Sequence, residues 1–116
     1  MTVLVCGSRN WSSYDRVLEI ITVHHEIKPI TKIIQGGARG ADSHAGTAAI
    51  KLGIPFQTFP AEWKKYGLSA GYRRNKEMVD SKPDLVLAFQ RNKSRGTQHT
   101  IDLARAAGIP VEVYTE

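Results

Sequence analysis

Three stretches of the chain set glycine beside hydroxyl, amide or guanidinium groups that suit an anion. The first, Gly7-Ser8-Arg9, offers backbone amides, a hydroxyl and a guanidinium whose planar fork can hold two anionic oxygens. It reads equally as a tight turn with a solvent-facing arginine. The second, GGARGAD from Gly36 to Asp42, allows close backbone approach to a ligand and then enters a helix whose free amides attract anions. Here Gly36, Gly37 and Gly40 shape the approach, Arg39 adds a charge, and Asp42 sits in the first turn. Asp42 can cap that turn or orient a ligand hydroxyl, but it repels a phosphate placed directly beside it. The spacing is neither the G-x-G-x-x-G fingerprint nor a Walker loop, since no G-K-S/T follows. Small residues at Ala41, Ala45, Gly46, Ala48 and Ala49 also suit a helix packed close to a sheet, so packing explains them as well as a ligand does.

The third stretch, QRNKSRGTQHT, is the better phosphate candidate. Ser94, the Gly96 amide and the Thr97 hydroxyl can converge on an anion at the start of a helix, with Arg95 as an added charge. A fourth segment, AEWKKYGLSAGYRRNKEMV, is of another kind. Trp63 and Tyr66 can wall a nucleobase, while Arg73, Arg74 and Asn75 can clamp polar groups. Aromatics at loop edges also cover core, and the basic cluster can contact a phosphate backbone. His24, His25, His44 and His99 follow no zinc pattern and form no nucleophile–histidine–acid set. No metal or cofactor is expected. Asp42 is the one catalytic candidate, should the chain be an enzyme.

Short apolar runs and helical periods must position these stretches. Strands are expected at Thr2 to Cys6, Thr31 to Ile34, Ile54 to Phe59, Asp84 to Phe89 and Pro110 to Tyr114. Between them, a helix capped at Ser12 or Ser13 runs towards Pro29, and a second runs from Gly40 or Asp42 to Leu52. Pro60 to Gly67 reads as a loop, Ser69 to Asp80 as a helix, and Thr97 to Ala107 as the last helix. Alternating strands and helices imply an α/β, Rossmann-like three-layer sandwich with a five-stranded, mostly parallel sheet. The economical strand order is 3-2-1-4-5. It brings the three glycine-bearing loops to one sheet edge, where such folds bind ligands.

The chain has 116 residues, 41% of them apolar and 23% charged, which fits a globular protein with its own core. Residues 1–116 read as a single domain without internal repeats. A net charge of +5 favours an anionic partner without naming it. Cys6 is the lone cysteine, so no internal disulfide forms and a reducing, cytoplasmic setting is expected. Apolar runs fall short of the about twenty residues that span a bilayer, so no membrane partner is expected.

With these loops described, the sequence resembles the SLOG superfamily of Rossmann-like proteins, and within it the small bacterial and phage branch. The matching pieces are VLVCGSRNW, IIQGGARGAD, PAEWKKYG, AGYRRNKEMV and DLVLAFQRNKSRGT, whose order runs through nearly the whole chain. The superfamily includes DNA-processing DprA proteins and LOG enzymes, which cleave the base from a nucleoside monophosphate. The resemblance implies a pocket built from GSR, GGARGAD and SRGT, and nucleotide-like binding more than one reaction. LOG enzymes resemble P-G-G-x-G-T-x-x-E at the last loop. Here Thr100 stands at the glutamate position and the two leading glycines are missing, which counts against LOG-like chemistry.

The leading expectation is therefore recognition of a nucleotide or nucleotide-derived small molecule, such as an ADP-ribose-like compound. Arg9, Ser94, Gly96 and Thr97 would bind phosphate, Asp42 would orient the sugar or close the loop, and Trp63, Arg73 and Asn75 would shape the base end. Hydrolysis of an N-glycosidic or phosphoester bond through Asp42 is the first alternative. Single-stranded nucleic-acid binding through Arg73, Arg74, Lys76, Arg91, Lys93 and Arg95 is the second, and the dispersal of those charges counts against it. The lateral helices also allow a homo-oligomer.

Overall fold

A computed structural model describes residues 1–116. Five strands, β1 (Thr2–Gly7), β2 (Lys32–Gln35), β3 (Phe56–Thr58), β4 (Leu85–Gln90) and β5 (Val111–Thr115), form one parallel sheet in the order β3-β2-β1-β4-β5. The helices are α1 (Tyr14–Ile27), α2 (Ala41–Leu52), the single turn α3 (Trp63–Tyr66), α4 (Ala70–Asp80) and α5 (Arg95–Ala106). No helix is long and apolar enough to cross a membrane.

Strand periodicity sorts the core into two layers. Val3, Val5, Ile33, Leu87 and Phe89 point to the side covered by α1 and α2, where Val17, Ile20 and Ile21 meet them. Leu4, Cys6, Ile34, Val86 and Ala88 point the other way, onto Met78 and Val79 of α4 and Ile101 and Ala104 of α5. The central strand β4 is buried along its whole length, as expected of a parallel strand covered on both faces. Ala41, Ala45, Ala48 and Ala49 of α2 are all fully buried, so the small side chains do serve close helix packing.

Local signals set the helix ends. The Ser13 hydroxyl accepts the Arg16 amide at 3.2 Å to cap α1, with Asp15 in the positively polarised first turn. Gly53 ends α2 in the left-handed conformation, φ +70°.

Three boundaries differ from the sequence expectation by more than one residue. Pro60 to Gly67 is not all loop, because Trp63–Tyr66 closes a helical turn followed by a 3₁₀ turn at Gly67–Ser69. The edge strand β3 keeps only Phe56–Thr58, since Pro55 has no amide to give the ladder. Helix α5 begins at Arg95 rather than Thr97, which moves Arg95 and Gly96 from the loop into its first turn.

Candidate functional site

The loops after β1, β2 and β4 and one face of α4 surround a cavity of about 730 Å³ at the carboxyl edge of the sheet. That volume falls within the range of small-molecule sites. The loops are locked to each other by backbone. The Ser8 amide donates to the Phe89 carbonyl at 2.8 Å, and the Ala41 amide reaches the Ser8 carbonyl at 3.3 Å. A Cβ on Gly40, φ +72°, would lie 2.4 Å from the Ser8 carbonyl oxygen and 2.5 Å from that of Arg9. Gly40 thus lets loop two cross loop one, and it lines no part of the cavity.

Ser8 is committed to the same scaffold. Its hydroxyl donates to the Arg91 carbonyl at 3.0 Å and accepts the Arg91 amide at 2.8 Å, tying the end of β1 to the loop after β4. Ser8→Ala is expected to lower stability by about 1 kcal/mol in a denaturant melt, because it strips a part-buried amide of its acceptor. An unchanged midpoint would show that this tie is idle.

Helix α5 supplies one end of the cavity wall. The Arg95, Gly96 and Thr97 amides have no carbonyl partner within the protein, as at the start of any helix. Ser94 precedes them and makes no capping hydrogen bond. A Cβ on Gly96 would meet no protein atom within 4 Å, so no internal packing demands a glycine in this first turn. Thr97 is 3% exposed, and its Oγ1 is a buried side-chain polar atom with no hydrogen-bond partner. By contrast, the hydroxyls of Thr22, Thr47 and Thr100 each donate to the carbonyl four residues back.

Asp42 occupies the opposite wall, 6% exposed. Burial pushes its carboxyl up to about 6, although the Ala38 amide, 3.2 Å from Oδ2, and the Arg74 and Arg9 guanidiniums pull the other way. Arg74 reaches over from α4, donating through Nη1 to the Gly36 carbonyl at 2.5 Å and through Nε to Asn75 Oδ1 at 3.1 Å. A Cβ on Gly36 would run into both Arg74 and Asp42, so this glycine makes room for the pair. Asn75 links α4 to α5 through Nδ2, 3.3 Å from the Gly96 carbonyl.

Residues 1–66 match the family model described as YAcAr, the YspA, cpYpsA-related SLOG family. The chain belongs to this family. The matched span takes in the loops after β1 and β2, while α5 lies beyond it. Gene 61 protein of Mycobacterium phage D29 is 36% identical over 115 residues, covering 94% of this SLOG chain and 92% of the phage protein. DNA processing protein A (DprA) from Streptococcus pneumoniae shares the fold, with a TM-score of 0.73 at 17% identity over 97% of this chain. The SLOG chain spans 49% of that DprA chain, about half its length.

Most of the residues singled out in the SLOG sequence do converge. Gly7, Ser8, Arg9, Arg39 and Asp42 line the cavity from one side, and Asn75, Ser94, Gly96 and Thr97 from the other, with the half-exposed Trp63 at the rim. Gly36 and Gly37 line a smaller neighbouring cavity. Arg73 and Arg95 line neither. The Arg73 guanidinium lies 4.3 Å from the centroid of the Tyr66 ring and donates to Ser69 Oγ at 3.1 Å, outside the site. Arg74 takes the place that the sequence reading gave to Arg73. A helix turns about 100° per residue, so with Asn75 facing the cavity Arg74 stays near that face and Arg73 swings behind it. Gly71 and Met78, four before and three after Asn75, line the cavity too and would have identified the face. Thr100, the residue at the LOG glutamate position, also lines it.

Proposed function

We propose that this SLOG chain binds a nucleotide or nucleotide-derived small molecule, with a phosphoryl group on the first turn of α5. The unpaired hydroxyl of Thr97 carries this reading. A buried hydroxyl without a partner costs about 1–3 kcal/mol, and three free amides beside it offer the same charge-assisted bonds to one anion. Gly96 leaves the approach open, Ser94 flanks it, and Asp42 is placed to accept a sugar hydroxyl. Trp63 offers an aromatic face at the rim for a base. Family membership and the likeness in fold to DprA are consistent with this reading.

Calorimetric titration with mono-, di- and cyclic nucleotides and ADP-ribose is expected to give saturable binding of one molecule per chain. Absence of heat across the whole panel sinks the proposal. Native mass spectrometry of the same samples would report whether copies of the chain assemble and how many ligands each assembly holds.

One observation supports hydrolysis as a second reading. Asp42, raised to about 6, is a cavity carboxyl poised near neutrality, as a general acid or base requires. Turnover would appear as new masses after incubation with the bound nucleotide and vanish with Asp42→Asn. A product that persists in that variant would clear Asp42 of the role.

A further inference from the structure

Beside the main cavity lies a second one of about 370 Å³, lined in part by Gly36, Gly37 and Thr58. Five residues border both: Arg9, Ala38, Arg39, Trp63 and Arg74. Three guanidiniums therefore stand where the two spaces meet. Arg74 is committed to the Gly36 carbonyl and to Asn75. The side chains of Arg9 and Arg39 are exposed and make no hydrogen bond or ion pair with the protein. Two cations beside one cavity mouth, both unpaired, form a second place for an anion.

The Arg39 side of this second place is well separated from α5, with Arg9, which follows β1, between the two. Arg39 follows β2 and α5 follows β4, and β1 lies between these two strands in the sheet. The two strand ends are thus two spacings apart, roughly 10 Å. The phosphoryl groups of a 5′-diphosphate share an oxygen and lie too close together to sit on the first turn of α5 and against Arg39 at once. Asp42 lines the same cavity, and its carboxylate opposes a run of adjacent phosphates placed against it.

We propose that the site takes a nucleotide with two phosphoryl groups on opposite sides of its sugar. One lies on the first turn of α5 and the other, at the 3′ or 2′ position, lies against Arg9 and Arg39. This deepens the nucleotide-binding reading above and rests on it. The sugar between the two groups then meets Asp42 through a hydroxyl rather than through a second negative charge.

Isomers supply the test. A nucleoside 3′,5′- or 2′,5′-bisphosphate has the same atoms as the 5′-diphosphate of the same base and differs in where the second phosphate sits. Calorimetry with these isomers and the 5′-monophosphate, for each of the four common bases, separates spacing from charge. A bisphosphate is expected to bind at least about tenfold more tightly than its 5′-diphosphate isomer for the base the site prefers. The double variant Arg9→Ala/Arg39→Ala should remove most of that difference. A structural effect of the substitutions would weaken both isomers together and leave their ratio intact. A 5′-diphosphate that binds as tightly as its isomers for every base overturns the inference, and so does a preference that survives the double variant. Monophosphate binding without any isomer preference leaves the α5 site standing and removes only the second one. No binding by any of these nucleotides removes both.

Discussion

At about pH 8, Asp42→Asn is expected to make the fold more stable by about 3 kcal/mol, and at about pH 4 the gain should shrink to roughly 0.5 kcal/mol. The direction follows from the carboxyl being raised in the folded chain, from 3.8 to about 6, mainly because burial disfavours its charge. The folded protein holds this proton more tightly than the unfolded chain does. Stability from this group is therefore full below about 3.8, falls as pH rises towards 6, and stays low above it. Asparagine keeps an oxygen to accept the Ala38 amide and never ionises, so it escapes that penalty. The measurement is a pair of urea melts, parent and variant, at several pH values. Their difference isolates Asp42 from the other carboxylates that titrate in the same range. A gain that persists at low pH would mean that side-chain fit, not charge, drives it. Equal stability at high pH would mean that Arg74 and Arg9 already compensate the carboxylate in full.

The layout of the site was legible in the sequence because glycine and hydroxyl residues mark strand-to-helix turns. Gly7-Ser8-Arg9, the Gly36–Asp42 run and Ser94–Thr97 each follow a short apolar strand, and the order 3-2-1-4-5 brings them to one edge. What escaped were facts that depend on a neighbour far along the chain. Ser8 looked like a ligand hydroxyl, but its partner is the Arg91 backbone, 83 residues away. Gly36 looked like a ligand-approach glycine, yet the groups that fill its space are Arg74 from α4 and Asp42 from α2. Choosing Arg73 over Arg74 was a matter of helical phase, and the phase of α4 is set by what Met78 and Val79 bury. The turn at Trp63–Tyr66 was missed because four residues give too short a period to read.

Thr97→Val should weaken nucleotide binding roughly thirtyfold, about 2 kcal/mol, while leaving the empty protein as stable as before or up to about 1 kcal/mol more stable. The two halves of this result come from one atom. In the empty site, Oγ1 is buried without a partner, so replacing it by a methyl of similar size removes a desolvation cost and opens no cavity. With ligand bound, the same hydroxyl, turned about χ1 towards the cavity, would donate to a phosphate oxygen, and its loss removes a hydrogen bond to a charged group. Thr97→Ser keeps the hydroxyl and should keep most of the affinity, which separates the bond from the shape of the side chain. Calorimetry and urea melts on the three proteins complete the test. Valine that binds as well as threonine would show that the amides of α5 suffice, and valine that destabilises the empty chain would show that the hydroxyl has a structural partner after all. The same sign is expected at Asp42 and at Thr97, on facing walls of one cavity: each polar group lowers the stability of the empty fold. Packing alone selects against such groups; under the proposed function, a ligand that enters the cavity and pairs with both would account for their joint presence.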